Sequence, residues 1–148
     1  MPNVPGLRSI YHQVGGIVYF GRMLDKIRLQ AAGALAADYV ENLGIGFDGR
    51  CCNFLGIDYA ALRDRTLRGG TDDEIMAWCR EIGTARSDEE REVWNGFMMK
   101  RGWRDEATPR LKQRIKESGF EGKPIDTMFD YIEFDEGRDP VASRAWEQ

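Results

Sequence analysis

The sequence predicts an all-α fold, a compact single-domain bundle of six to seven short helices, and three observations carry that prediction. Helix starts are written out: Thr71-Asp72-Asp73-Glu74 and Ser87-Asp88-Glu89-Glu90 are capping boxes, and Thr108-Pro109 sets a cap before a proline. In a capping box the hydroxyl accepts the third backbone N–H while the Glu reaches back to the cap's own N–H. Helix stops follow at Gly33, Gly83, Gly102 and Gly119. No alternating run of β-branched residues is long enough for a strand, so no sheet beyond a two-residue bridge is expected.

Taken in order, residues 1–15 carry prolines and glycines and read as an extended, docked N-terminal arm. The first helix is expected from near Gly16 to Gly33, because Ile17, Phe20, Leu24, Ile27 and Ala31 make one buried stripe. Gly44, Gly46 and Gly49 precede a second, with Phe47, Cys51, Phe54 and Leu55 inward. Asp58 caps a third, with Tyr59 and Leu62 inward and Gly69-Gly70 as its stop. The fourth, after Thr71, buries Ile75, Trp78 or Cys79, and Ile82. The fifth, after Ser87, buries Val93, Trp94, Phe97 and Met98; since Met98 and Met99 cannot face the same way, one belongs to a pocket or a partner surface. The sixth, after Thr108, buries Leu111 and Ile115, and the seventh, capped by Asp126, buries Phe129 and Ile132. Residues 138–148 show no periodicity and are expected to fray, apart from a dock by Trp146. Schellman geometry would set Phe120 against Ile115 after Gly119, and Trp103 against Met98 after Gly102.

Composition excludes several classes. Apolar residues make up 42% of the 148, enough for one core and too many for a disordered chain. The net charge is −4, with eight basic and six acidic residues in 1–70 against thirteen and nineteen in 71–148. That balance makes nucleic acid an unlikely partner, since such affinity comes from neutralising phosphates. No stretch approaches the roughly 18 apolar residues of a membrane helix, and residues 1–6 lack the pattern of a signal peptide. Three cysteines without framework spacing suit a reducing compartment, so the expected location is cytoplasmic and no membrane is expected.

The candidate sites are few. Arg22, Asp25 and Arg28 are spaced three apart on the first helix, so both guanidiniums could reach the one carboxylate. As a structural feature this is a partly buried ion pair; as a functional one it is an anion site in which Arg28 forks onto a phosphate or carboxylate. Arg50, at the start of the second helix, joins these three as a ligand-binding candidate. Gly44-Ile45-Gly46-Phe47-Asp48-Gly49 matches G-x-G-x-x-G, but no buried strand precedes it. A glycine turn with Asp48 capping the next helix is the simpler reading.

His12, the lone histidine, supports neither a triad nor a metal centre. Adjacent Cys51 and Cys52 diverge on a helix and cannot chelate well, so neither metal nor cofactor is expected. Cys51 reads as core, and Cys52, beside Arg50, as a thiol that is inert unless its surroundings activate it. Asp126, Asp130 and Glu133 share a face, which is ordinarily solvated. Two basic clusters, Arg63/Arg65/Arg68 and Lys100/Arg101/Arg104, fall at helix C-termini, where the dipole accounts for them.

The strings from Tyr19 to Arg28, Phe47 to Arg50, Phe54 to Asp58, Gly70 to Asp72 with Trp78, Ser87 to Glu90 with Trp94-Asn95, and Phe129 to Ile132 carry a resemblance. Over roughly residues 6 to 136 the chain resembles the bacterial family known as domain of unknown function 5069. The resemblance implies a small bacterial protein and brings no activity, cofactor or catalytic residue. The expectation is therefore a non-catalytic helical binding or adaptor protein, whose partner is another protein or a small anion. Its competitors are a small enzyme using Arg22/Asp25/Arg28 on a phosphorylated or carboxylated metabolite, and a nucleic-acid-associated helical domain.

Overall fold

The computed structural model describes residues 4–148. It is mostly helical: α1 (Phe20–Ala31), α2 (Ala37–Val40), α3 (Phe47–Leu55), α4 (Tyr59–Leu67), α5 (Asp72–Ile82), α6 (Asp88–Lys100), α7 (Thr108–Glu117), α8 (Met128–Asp135) and α9 (Pro140–Ser143). A small antiparallel hairpin, β1 (Gln13–Val14) and β2 (Ile17–Val18), makes the fold not strictly all-α. Residues 1–3 of the expected arm lie outside the described residues; from Leu7 onward the arm is docked, with Leu7, Ile10 and Tyr11 buried.

The hairpin displaces the expected start of the first helix. Ile17 and Val18 are strand, and α1 begins only at Phe20. Asn95 of α6 explains why: its Oδ1 accepts from Val18 N at 2.9 Å and its Nδ2 donates to Gly16 O at 2.9 Å. A side-chain amide that satisfies both backbone groups holds that segment extended.

Local signals performed well where they were purely local. Both capping boxes are complete, and Asp58 accepts from Ala61 N. Gly119 (φ 71°) closes a Schellman motif, with Phe120 N bonded to Ile115 O at 2.9 Å and Gly119 N to Lys116 O at 3.1 Å. At Gly102 the motif is absent. Gly102 N turns to the Asp105 carboxylate, Trp103 N bonds to Lys100 O, and Trp103 is exposed while Met98 is buried. Thr127 rather than Asp126 caps α8, and Ala107 precedes α7, with Thr108 inside the helix bonding Asp105 N and Gly102 O. Gly83 stops α5 at negative φ; a Cβ there would lie 2.2 Å from the Leu55 carbonyl oxygen. Close approach to α3, and not a left-handed turn, is what requires glycine.

Periodicity misjudged two faces and the C-terminal end. Ile82, Val93 and Phe97 are exposed. Residues 138–148 carry α9 and a 3-10 turn, Ala145–Glu147, where fraying was expected. Ser143 Oγ donates to Glu133 at 2.5 Å, and Trp146 meets the Tyr11 ring edge-on at 6.1 Å. Two short helices, α2 and α9, thus exceed the expected count.

The main core gathers Ile10, Phe20, Met23, Leu24, Leu62, Ile75, Met98 and Phe129 around α1. The arm, β1 and α4 pack against α1, and every residue from Phe20 to Ile27 is buried, including Arg22, Asp25 and Lys26.

Candidate functional site

Enclosure forces each charge on α1 to find a partner, and the partners are not the ones three residues away. Asp25 accepts from Arg8 of the arm three times: backbone N at 2.9 Å, Nε at 2.9 Å and Nη2 at 3.0 Å. Arg8 Nη1 also donates to Asp72 at 2.6 Å, and Arg28 donates to the other oxygen of Asp72 at 2.8 Å. Arg22 turns away from Asp25 and forks onto Glu136 at 2.8 and 2.5 Å, touching the other set only through a 3.4 Å bond to the Arg8 carbonyl. The expected Arg22–Asp25–Arg28 ladder is therefore corrected to two networks, one around Asp25 and Asp72 and one around Glu136. Both Arg8 and Arg28 outweigh the burial that would raise Asp72, leaving its carboxyl below the usual range.

The C-terminal region of α8 is where distant segments meet. Glu136 accepts from Arg22, from Tyr39 Oη at 2.8 Å and from Arg138 at 2.5 Å. Burial pushes that carboxyl up, but Arg22's hydrogen bonds and charge win and hold it low. Glu133, fully buried, accepts from Ser9 Oγ at 2.8 Å, Ile10 N at 3.0 Å and Ser143 Oγ. Asp130 accepts from Tyr11 Oη and Arg144, both at 2.6 Å. The acidic face of α8, read as solvated, is buried at Asp130 and Glu133; Asp126 alone is exposed.

A second buried set lies one turn along α1 from Arg22. Lys26 Nζ is 2.8 Å from Asp48 Oδ1 and donates to Tyr19 Oη at 3.0 Å, while Tyr19 Oη donates to Asp48 at 2.6 Å. Asp48 Oδ2 accepts from Gly44 N at 3.0 Å. So the glycine string is a turn, as expected, but Asp48 serves the turn and Lys26 and does not cap α3; Gly46 stands at the cap with no side-chain bond. Among the described residues no strand leads into the string, which follows α2, and the dinucleotide reading has no βαβ unit to stand on. Burial lowers the Lys26 ammonium, with Asp48 opposing, and burial together with the Asp48 charge raises Tyr19.

Tyr19, Lys26, Arg22 and Glu136 open onto a groove of about 540 Å³. Its sides come from α2, α3, α7 and α8, with Ile10, Phe47, Met128 and Ile132 as apolar lining. Six cationic side chains face it, Arg22, Lys26, Arg50, Arg101, Arg110 and Arg114, against four acidic ones, Asp38, Glu41, Asp135 and Glu136. Arg50 and Arg101 both sit over the Phe97 ring, at 5.3 and 5.7 Å, which explains why this exposed ring is tolerated. Among the described residues, Arg50, Arg110 and Arg114 form no ion pair with a carboxylate. Uncommitted guanidiniums around a concavity in an acidic protein focus a positive potential there.

Of the sequence candidates, Arg22 and Arg50 line this groove, whereas Asp25 and Arg28 lie outside it. Lys26, Tyr19, Arg110 and Arg114 were missed. A lysine placed beside Leu24 and Ile27 on a helix read as buried was the available signal. Tyr19 comes from the head of the same helix, whereas Arg110 and Arg114 are brought to the groove by α7, far away in sequence.

Of Met98 and Met99, one of which was expected at a pocket or a partner surface, Met98 is buried and Met99 lines a smaller cavity of about 260 Å³ with Tyr11, Trp103 and Trp146. The three cysteines are free and buried; burial pushes Cys52 and Cys79 up to about 12 and Cys51 well above its ordinary value, so none is an activated thiol. No group of three His, Cys, Asp or Glu among the described residues could hold a metal ion. No helix among them is long and apolar enough to cross a membrane.

The family model described as a domain of unknown function, DUF5069, matches residues 4–138, and the chain belongs to that family. No curated protein matches the chain.

Proposed function

We propose that this DUF5069 protein binds a small organic anion, phosphorylated or carboxylated, in the groove between α2, α3, α7 and α8. The observation that carries this reading is the set of guanidiniums without carboxylate partners among the described residues, Arg50, Arg110 and Arg114, around one apolar-lined concavity. Guanidinium forks match phosphate and carboxylate oxygens, and apolar lining suits the body of a metabolite. Asp38, Glu41 and Asp135 interleave with the cations, which disfavours a nucleic-acid backbone running through the groove. A bacterial, cytoplasmic setting is part of the reading, and three buried free thiols fit it.

Thermal-shift and calorimetric titration with phosphate, pyrophosphate, citrate and a short duplex test the proposal. Saturation to about 100 times Kd should stabilise the native state by about 2.7 kcal/mol. The paired substitution Arg110→Ala with Arg114→Ala should abolish the rise for anions while leaving the ligand-free midpoint where it was. No rise with any anion, or an equal rise in the paired variant, ends the proposal.

A further inference from the structure

Of the five lysines, Lys100, Lys112, Lys116 and Lys123 are exposed and Lys26 alone is buried. It lines the arginine groove beside Tyr19 and Arg22. An arginine at this position would hold Asp48 with a fork and keep its charge; a lysine offers a compact amine that can give up a proton. Burial favours that loss and the neighbouring Arg22 adds to it, while Asp48 works against it. Desolvation and a nearby second cation are the conditions that turn a lysine into a nucleophile. Tyr19, at the head of α1, holds φ at 78°, a strained value for a non-glycine residue. Strain of this kind survives where surrounding contacts fix the residue, here the bonds of its hydroxyl to Asp48 and Lys26.

We propose that the anion taken by the groove carries a carbonyl group, as in a 2-oxo acid or a phosphorylated aldehyde or ketone, and that Lys26 Nζ forms a reversible imine with it. The proposal rests on the anion-binding reading, since the arginines would hold the anionic end while the carbonyl carbon meets Nζ. Lys26 ammonium and the carbonyl compound give a protonated imine and one water. The Nζ–C bond forms and the C–O bond breaks. The carbonyl oxygen leaves as water with two of the three ammonium protons, and the third stays on nitrogen. Asp48, 2.8 Å from Nζ, takes up the proton that frees the lone pair, and Tyr19 Oη, 3.0 Å away, is placed to protonate the departing oxygen. The charge count does not change. The iminium keeps a positive charge opposite buried Asp48, so the ion pair survives the reaction instead of being broken by it.

Native protein is incubated with cyanoborohydride and either pyruvate or glyceraldehyde 3-phosphate, with and without inorganic phosphate, and the adducts are mapped by peptide mass spectrometry. The expected result, with at least one probe, is a single reduced adduct per chain at Lys26, saturable and suppressed by phosphate. Adducts confined to the four exposed lysines overturn the imine. A parallel calorimetric titration with phosphate scores the groove separately. Phosphate binding without a Lys26 adduct removes the imine alone, whereas neither binding nor adduct removes both readings. Lys26→Arg, which keeps a cation opposite Asp48, should retain phosphate binding and lose the Lys26-region adduct. If that variant loses phosphate binding and unfolds no more readily than the parent, Lys26 is an anion ligand and not a nucleophile, and the imine is overturned.

Discussion

Asp25 and Arg8 meet through three hydrogen bonds, one from the Arg8 backbone and two from its guanidinium, across 17 residues of chain. This pairing pins the arm onto α1 and continues through Asp72 to Arg28. Asp25→Ala should cost about 2–4 kcal/mol by urea titration, between the figures for exposed and fully buried pairs. Arg28→Ala, whose side chain is one-third exposed, should cost less than about 1 kcal/mol. An Asp25→Ala protein as stable as the parent would show that the arm is held by its apolar contacts alone.

Glu136 predicts an acid limb. Its folded value lies below the ordinary 4.5, so its contribution is present above that pH and is lost as pH falls through the folded value. Stability measured from neutral pH down past 4.5 should therefore decline, and Glu136→Gln should flatten part of the decline while lowering stability at pH 7. An unchanged acid limb in Glu136→Gln would assign the loss to other carboxylates, with Asp72 the next to test.

Alkaline behaviour follows from the thiols. Unfolded cysteines titrate near 9, whereas Cys52 and Cys79 in the fold are pushed up to about 12 by burial. Raised folded values mean that stability is intact below pH 9 and falls as pH climbs toward 12. Cys51 and the phenols of Tyr11, Tyr19, Tyr39 and Tyr59, all raised by burial, act in the same direction, and Lys26, lowered from 10.5, alone opposes them. Native protein at pH 8 should react with a thiol reagent far more slowly than denatured protein, which should yield three thiols. Rapid reaction of one thiol in the native state would contradict the burial.

Two glycine substitutions separate close approach from backbone conformation. Gly83→Ala drives a Cβ into the Leu55 carbonyl and should cost about 2–3 kcal/mol or more. Gly33→Ala meets no atom within 4 Å and pays only for a left-handed φ of 70°, about 1–2 kcal/mol. Equal losses by chemical denaturation would mean that α3 and α5 can part without penalty.

The sequence by itself determined the features whose causes lie within a few residues: the capping boxes at Thr71 and Ser87, the Asp58 cap, and the Schellman closure at Gly119. Each is a contest among neighbouring backbone groups, and residue type decides it. Tertiary structure decided the charges. Arg22 reaches Glu136 across 114 residues, and Arg8 reaches Asp72 across 64, so helical spacing could not reveal either pair. The groove has the same origin, because Lys26, Arg50, Arg101 and Arg114 come from four different helices or helix ends. Helical periodicity assumes one wet face. α1 has none over its first two turns, and burial on all sides made each of its charges choose a distant partner or face the cavity.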